Sequence, residues 1–456
     1  MSDSYKLPVP AETQCRLAAA WLWLGVTALL VSGIFSLLLV LSRAPFVSSL
    51  IPWLDFFHTA LVVHVDLSVL VWFLAFAGVL WSLNSTDRFI RVGWLALGLA
   101  VAGTAIMALS PFTGDGHPLM SNYIPVLQIP AFFTGLLCFT CGVVLLVWRS
   151  MSAIPLVGQR ISSAGSLRFG LNTATVATAM AMMGFIWSWL MIPDSFSGKA
   201  YYELLFWGGG HLLQFTYTLL MLVAWLWLAN ASHVDLPVTP RVVLIMFGFG
   251  LFAIFFTPII YFSYPVTSGE HISLFTWLMR YGGSLASLPL SLAILYGLLR
   301  SDKCPAAQRP FRAALISSML LFGLGGVIGF MIQGSNVTIP AHYHGSIVGV
   351  TLALMGLTYV LLPYLGYGTP KPRLAGLQPY LYGLGQMLHV IGLVWSGGYG
   401  VQRKVAGAAQ GLDSVQEVAA MGLMGLGGLI SIIGGFLFVW IVLQIMLRGR
   451  TAHASA

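Results

Sequence analysis

Charge is what this sequence has least of. Of 456 residues, 21 are Lys or Arg and 13 are Asp or Glu, 7% in all. An ordinary soluble domain carries roughly a quarter. So few charged side chains exclude a chain solvated by water alone, and lipid must cover much of it. Cysteine is also scarce. Cys15, Cys138, Cys141 and Cys304 offer no disulfide framework, and the C-x-x-C of Cys138 and Cys141 lies inside an apolar run, where small packing residues are expected. No stretch is long enough for a separate soluble domain, and there is no internal repeat or low-complexity segment. The segment from Met1 to Gln14 is polar and carries acids, and the first apolar run is too long for a cleavable signal, so none is expected. The formal charge of +8 does not point to nucleic acid, because the basic residues sit in short segments between apolar runs. That is a pattern of membrane orientation.

What is present is hydrophobic: 58% of residues, with a mean hydropathy of +0.89. A spanning helix needs about 20 largely apolar residues. Twelve such runs occur, roughly 16–42, 56–84, 92–112, 124–148, 169–192, 201–230, 241–264, 273–299, 312–334, 341–366, 378–400 and 419–446. If the N-terminus is cytoplasmic, sixteen of the 21 basic residues fall in cytoplasmic segments. Four, Arg43, Lys199, Arg403 and Lys404, fall outside, and Arg280 lies within a span. This bias predicts both termini in the cytoplasm and an even span count. The expected fold class is an all-α integral membrane protein of the cell (inner) membrane with about twelve transmembrane helices. It forms a single domain over 1–456, with short cytoplasmic tails at 1–15 and 447–456.

The histidines carry the chemistry. An imidazole in a lipid-buried helix is costly unless it pairs or binds something. His64 falls about two turns into span two and His211 about three turns into span six. His271 follows span seven, and His342 and His344 open span ten. Five histidines on four spans thus share the outer half of the membrane. On a helix, residues two apart differ by about 200° in direction. His342 and His344 therefore suit two different planar cofactors better than one metal. Together the set predicts two haems and a third metal. His389 lies mid-span in run eleven and fits less clearly. Glu270 beside His271 joins a carboxylate to an imidazole, a pairing that suits iron, copper or zinc. Asp66, two residues after His64, is either a proton-handling group or the partner of a neighbour. Arg403 and Lys404, just outside span eleven, are placed to neutralise haem propionates or to be solvated loop charges.

These positions resemble the catalytic subunit I of the haem-copper oxidase superfamily, close to the branch of nitric oxide reductases and C-type cytochrome oxidases. The likeness covers essentially the whole chain. Ala341-His342-Tyr343-His344 resembles the family's helix ten motif. By that resemblance His342 is the axial ligand of a high-spin haem, and His344, with His64, holds a low-spin haem. The run HVDLSVLVWFLAFAG from His64 to Gly78 is similar to helix two of nitric oxide reductases. His211 in Trp207-Gly208-Gly209-Gly210-His211 resembles the helix six ligand of the third metal, copper or iron. Gln402-Arg403-Lys404 resembles the propionate-binding pair. Three departures stand out. Glu270-His271 replaces a His-His pair, so the metal set is His211, His271 and possibly Glu270. Phe215 stands where A-type oxidases have a tyrosine, while Tyr264, six residues before Glu270, matches the redox tyrosine position of C-type enzymes. No lysine lies in span eight.

The resemblance implies a respiratory terminal reductase. Electrons would enter at the outer face, reach the low-spin haem, and pass to the high-spin haem and third metal, where the substrate is reduced. Nitric oxide reduction to nitrous oxide fits the altered ligand pair, the helix two match and the scarcity of proton-channel groups. Oxygen reduction to water is the alternative that Tyr264 favours. The chain has no haem-attachment C-x-x-C-H, so an electron-donating cytochrome c or cupredoxin-type subunit is expected as partner. Twelve spans also fit a secondary transporter, which has no need for the histidine set.

Overall fold

The computed structural model describes residues 4–43, 56–114, 116–155, 161–333, 336–401 and 414–450. Among the described residues it is built of helix, with one antiparallel pair of two-residue strands, β1 (Pro118–Leu119) and β2 (Val126–Leu127). Among the described residues eleven helices are long and apolar enough to cross a membrane: Glu12–Leu39, Phe57–Leu83, Ile90–Phe112, Pro130–Ser152, Ser163–Met191, Gly198–Ala231, Pro240–Ser263, Gly269–Arg300, Ala306–Met331, Thr338–Tyr364 and Val415–Met446. They are spans one to ten and span twelve. Span eleven is the 27-residue helix Pro372–Gly398, whose Leu and Val are diluted by Tyr, Gln, Pro and Gly. The chain is an all-α integral membrane protein.

Local chemistry sets the helix starts. Proline stands in the first turn of spans four, seven, nine and eleven, where its missing N–H has no intrahelical partner to lose. Spans five, seven, eight and twelve are capped by Ser162, Thr239, Ser268 and Ser414. The last forms a reciprocal box with Glu417. Such caps satisfy the free N–H groups of a first turn.

The helices differ in how far protein encloses them. In the most apolar stretch of span six 94% of residues are buried, in span ten 83% and in span two 72%, against 33–44% in the other eight of these eleven. A helix buried on all sides faces protein rather than lipid. Spans two, six and ten are also the ones that carry His64, His211, His342 and His344.

Packing divides the chain into two compact units. One holds residues up to Ala28 with Val65–Asp302, and the other holds Leu29–His64 with the residues from Lys303 onward. In the first, span three packs on four, five on six and seven, and seven on eight. In the second, nine packs on ten and eleven, ten on eleven, and eleven on twelve. Lipid tails are as apolar as leucine, so close packing through small residues does much of the joining. Gly427 of span twelve shows it: a Cβ there would run into the backbone of His389 in span eleven.

Candidate functional site

In the first unit, span six holds His211 in the interior at 4% exposure. Its Nδ1 lies 2.7 Å from the carbonyl of Trp207, one turn back. A carbonyl only accepts, so Nδ1 carries the proton and Nε2 keeps its lone pair. The Tyr123 hydroxyl donates to that lone pair at 2.9 Å. Span eight supplies His271, 1% exposed, whose backbone N–H donates to the Ser268 hydroxyl at 3.1 Å. Neither ring nitrogen of His271 makes a hydrogen bond of normal geometry, although the Tyr264 backbone runs alongside. Both imidazoles pack on the Phe275 ring, with centroids at 6.0 Å for His211 and 5.0 Å for His271. The Tyr261 ring stands edge-on to His271 at 4.9 Å. Its hydroxyl donates to the Gly184 carbonyl at 2.9 Å and meets the Ser188 hydroxyl at 2.8 Å.

The second unit holds the other set. The Nδ1 of His64 lies 3.0 Å from the Ser32 carbonyl and 2.9 Å from the Ser32 hydroxyl. The Nδ1 of His342 donates to the Gly325 carbonyl of span nine at 2.7 Å. His344, two residues on, turns to span eleven and lies 4.6 Å from the His389 ring. The two histidines of the His-x-His therefore address different neighbouring helices, as the helical angle requires. His389 donates its Nδ1–H to the Met424 carbonyl at 2.9 Å. Four imidazoles, His64, His211, His342 and His389, thus share one device. A backbone carbonyl stands at Nδ1 of each, the usual outer bond of a metal-binding histidine.

The sequence matches the family described as "Cytochrome C and Quinol oxidase polypeptide I" over residues 16–437. The chain belongs to the haem-copper oxidase subunit I family. An uncharacterised protein of Rickettsia prowazekii is 30% identical, over 93% of this chain and 95% of its own length. An uncharacterised protein of Aquifex aeolicus is 29% identical, over 76% of this chain and 85% of its own. Cytochrome c oxidase subunit 1 of Thermus thermophilus is 23% identical, over 94% of this chain and 84% of its own. The residues present fit the groups this family carries. An imidazole as enclosed as His271 is costly unless something pairs with it or binds it, and the carbonyl-held imidazoles are of the kind a haem iron or a metal takes.

The other predicted site residues lie as follows. Pro265 ends span seven at Tyr264 and the Ser268 cap starts span eight, so Glu270 and His271 open a helix rather than trail one. Adjacent helical residues point about 100° apart. His271 turns inward, while the Glu270 side chain is exposed. Among the described residues no group of three or more His, Cys, Asp or Glu is placed to hold a metal. Tyr264 is 38% exposed and lines an apolar cleft of about 540 Å³ with Phe252, Ile259, Leu274 and Trp277. Arg403 and Lys404 lie outside the described residues. Asp66, at 1% exposure, begins a π-helical turn, and neither carboxyl oxygen makes a hydrogen bond. Cys138 and Cys141 are free thiols.

Two tyrosines that the residue spacing did not single out stand at the imidazoles instead. Tyr261 lies one turn before Tyr264 on span seven, and Tyr123 lies in the segment between spans three and four. The signal for both is Gly208-Gly209-Gly210 ahead of His211. A Cβ on Gly208 would strike the Tyr261 hydroxyl, and one on Gly210 would fall within the Tyr123 ring.

Proposed function

We propose that this chain is the catalytic subunit of a respiratory terminal reductase that converts nitric oxide to nitrous oxide. In this reading His64 and His344 hold the low-spin haem and His342 the high-spin haem. His211 and His271 hold a third metal, iron in preference to copper. When bound, these groups supply the one-electron steps and the metal surface on which the substrate is reduced. The protein's own part is to fix donors. The Trp207 carbonyl locks the His211 tautomer, the Ser268 cap sets the first turn that carries His271, and Phe275 keeps water from both rings. The observation that carries the reading is the donor set in the first unit. Among the described residues two imidazoles, not three, share the Phe275 wall, with a phenol hydroxyl hydrogen-bonded to one of them, and a site short of nitrogen donors with oxygen at hand suits iron better than copper. Phe215 also leaves the helix six tyrosine position empty of a phenol.

Oxygen reduction is the second reading. It draws on the same phenol, since a tyrosine beside the metal is a source of the extra electron that O–O cleavage takes. It also draws on the Thermus relative, whose name is that of a cytochrome c oxidase subunit. Electrons reach either reaction from a separate cytochrome c or cupredoxin-type subunit on the face that the basic-residue bias assigns to the outside. The deciding experiment is turnover of the purified complex with nitric oxide under anaerobic conditions beside oxygen consumption, with iron and copper counted per chain. Nitrous oxide formation with a third, non-haem iron is expected. Oxygen consumption without nitrous oxide formation, with copper present, overturns the reading in favour of the second.

A further inference from the structure

We propose that Tyr123 is a ligand of the third metal, binding through its phenol oxygen beside His211 and His271. The proposal rests on the reading above that a metal occupies those two imidazoles.

The argument begins with the His211 ring. Its Nδ1–H is committed to the Trp207 carbonyl, so Nε2 is the atom that takes the metal. That same atom accepts the Tyr123 hydroxyl at 2.9 Å. A metal on Nε2 removes the lone pair that the hydroxyl uses. The phenol oxygen is then left beside a buried cation, within reach of the nitrogen that binds it. A buried hydroxyl stripped of its partner is costly unless it is satisfied again. Bonding to the metal satisfies it. The exchange would balance without any redox change: the phenol O–H bond would break, an oxygen–metal bond would form, and the proton would pass to solvent.

The segment around Tyr123 is shaped for this. The β1–β2 pair closes the loop from both sides. Within it, the Ile124 N–H donates to the Asn122 carbonyl at 2.8 Å, so Tyr123 is the middle residue of a three-residue turn. Its φ is +67°, a conformation rare and strained for a bulky side chain. Strain of this kind persists where the surroundings hold a side chain in one place. The surroundings here are Gly210, whose missing Cβ admits the ring, the Trp207 ring edge-on at 6.1 Å and the His211 ring at 4.8 Å. Glu270, the carboxylate expected to complete the set, is exposed, whereas the Tyr123 oxygen already lies against His211.

The test uses the full chain with its donor subunit. Haem, iron and copper are counted per chain in the wild type, Tyr123→Phe and Tyr123→His, and the oxidised wild type is examined by resonance Raman spectroscopy. The proposal expects metal–phenolate vibrations in the wild type. It expects Tyr123→Phe to keep both haem spectra while non-haem metal falls about tenfold, and Tyr123→His to restore part of it. Tyr123→Phe with wild-type metal overturns the ligand assignment, whether or not turnover falls. Absence of phenolate vibrations from a metal-loaded wild type overturns it without any variant. A wild type with two haems and no third metal overturns the reading beneath it as well, and is told apart by that count.

Discussion

The two units of this chain hold their histidines in the same way but surround them differently. In both, a backbone carbonyl grips Nδ1: Trp207 for His211 in the first, and Ser32, Gly325 and Met424 for His64, His342 and His389 in the second. Around His211 and His271, however, stand tyrosines and small residues, with the Tyr123 phenol on one ring nitrogen and Tyr261 edge-on to the other imidazole. In the second unit the His344 ring meets another imidazole, His389. The difference is one of donor chemistry. A compact site walled by phenols can add oxygen ligands to a single ion. Histidines directed to separate helices suit large planar groups whose iron takes only an axial nitrogen.

The sharpest way to break this comparison is to remove one histidine from each unit. His211→Ala is expected to lower non-haem metal by at least about 100-fold, the upper end of what loss of a mere outer partner costs, and abolish turnover while both haem spectra remain. His64→Ala is expected to remove the low-spin haem spectrum and leave part of the high-spin signal. Optical spectra and metal analysis of the two variants check both. If His211→Ala removes a haem, or His64→Ala leaves the low-spin spectrum intact, the division of labour between the units is wrong.

A smaller effect is expected from Gly210→Ala. The added methyl group must displace the Tyr123 ring, and overpacking of this kind costs about 1–3 kcal/mol. Thermal unfolding followed through the haem absorbance should show the loss, with non-haem metal falling and haem content steady. A variant with unchanged melting and metal would mean that the Tyr123 ring does not rest on Gly210.

His389→Phe tests the second unit more gently. It keeps a ring against His344 but deletes the bond to the Met424 carbonyl. Loss of an outer hydrogen bond commonly costs about 10-fold in metal affinity, so a shifted low-spin haem spectrum is expected with haem retained. An identical spectrum and midpoint potential would make His389 a packing residue.

The smallest effect is expected at Glu270. Exposed substitutions usually stay within about 0.5 kcal/mol, so Glu270→Gln should leave metal content within about twofold of wild type. A steep loss of metal with both haems in place would return Glu270 to the ligand set and displace Tyr123 from it.

Much of the helical plan was legible from composition and run length. Eleven of the twelve predicted runs correspond to helices apolar and long enough to span, and the twelfth to the helix Pro372–Gly398. The boundary at Tyr264 was harder. A run of apolar residues does not show that Pro265 and the Ser268 cap stop one helix and start another, and that junction decides which way Glu270 and His271 face. Tyr123 was the least legible residue. It lies in a connecting segment of ordinary composition, and its partner is 88 residues away along the chain.

The sequence by itself determined the membrane class, the order of the helices and the spans that carry histidine. Those follow from properties summed along the chain: apolar length, charge spacing and the cost of imidazole in lipid. Only the tertiary structure decided which donors meet. His211 and His271 share a wall of aromatic rings, Glu270 turns out, and a phenol from a distant turn reaches Nε2. Contacts of that kind depend on the angle at which a helix starts and on where a glycine leaves room, and neither is written in a single segment's composition.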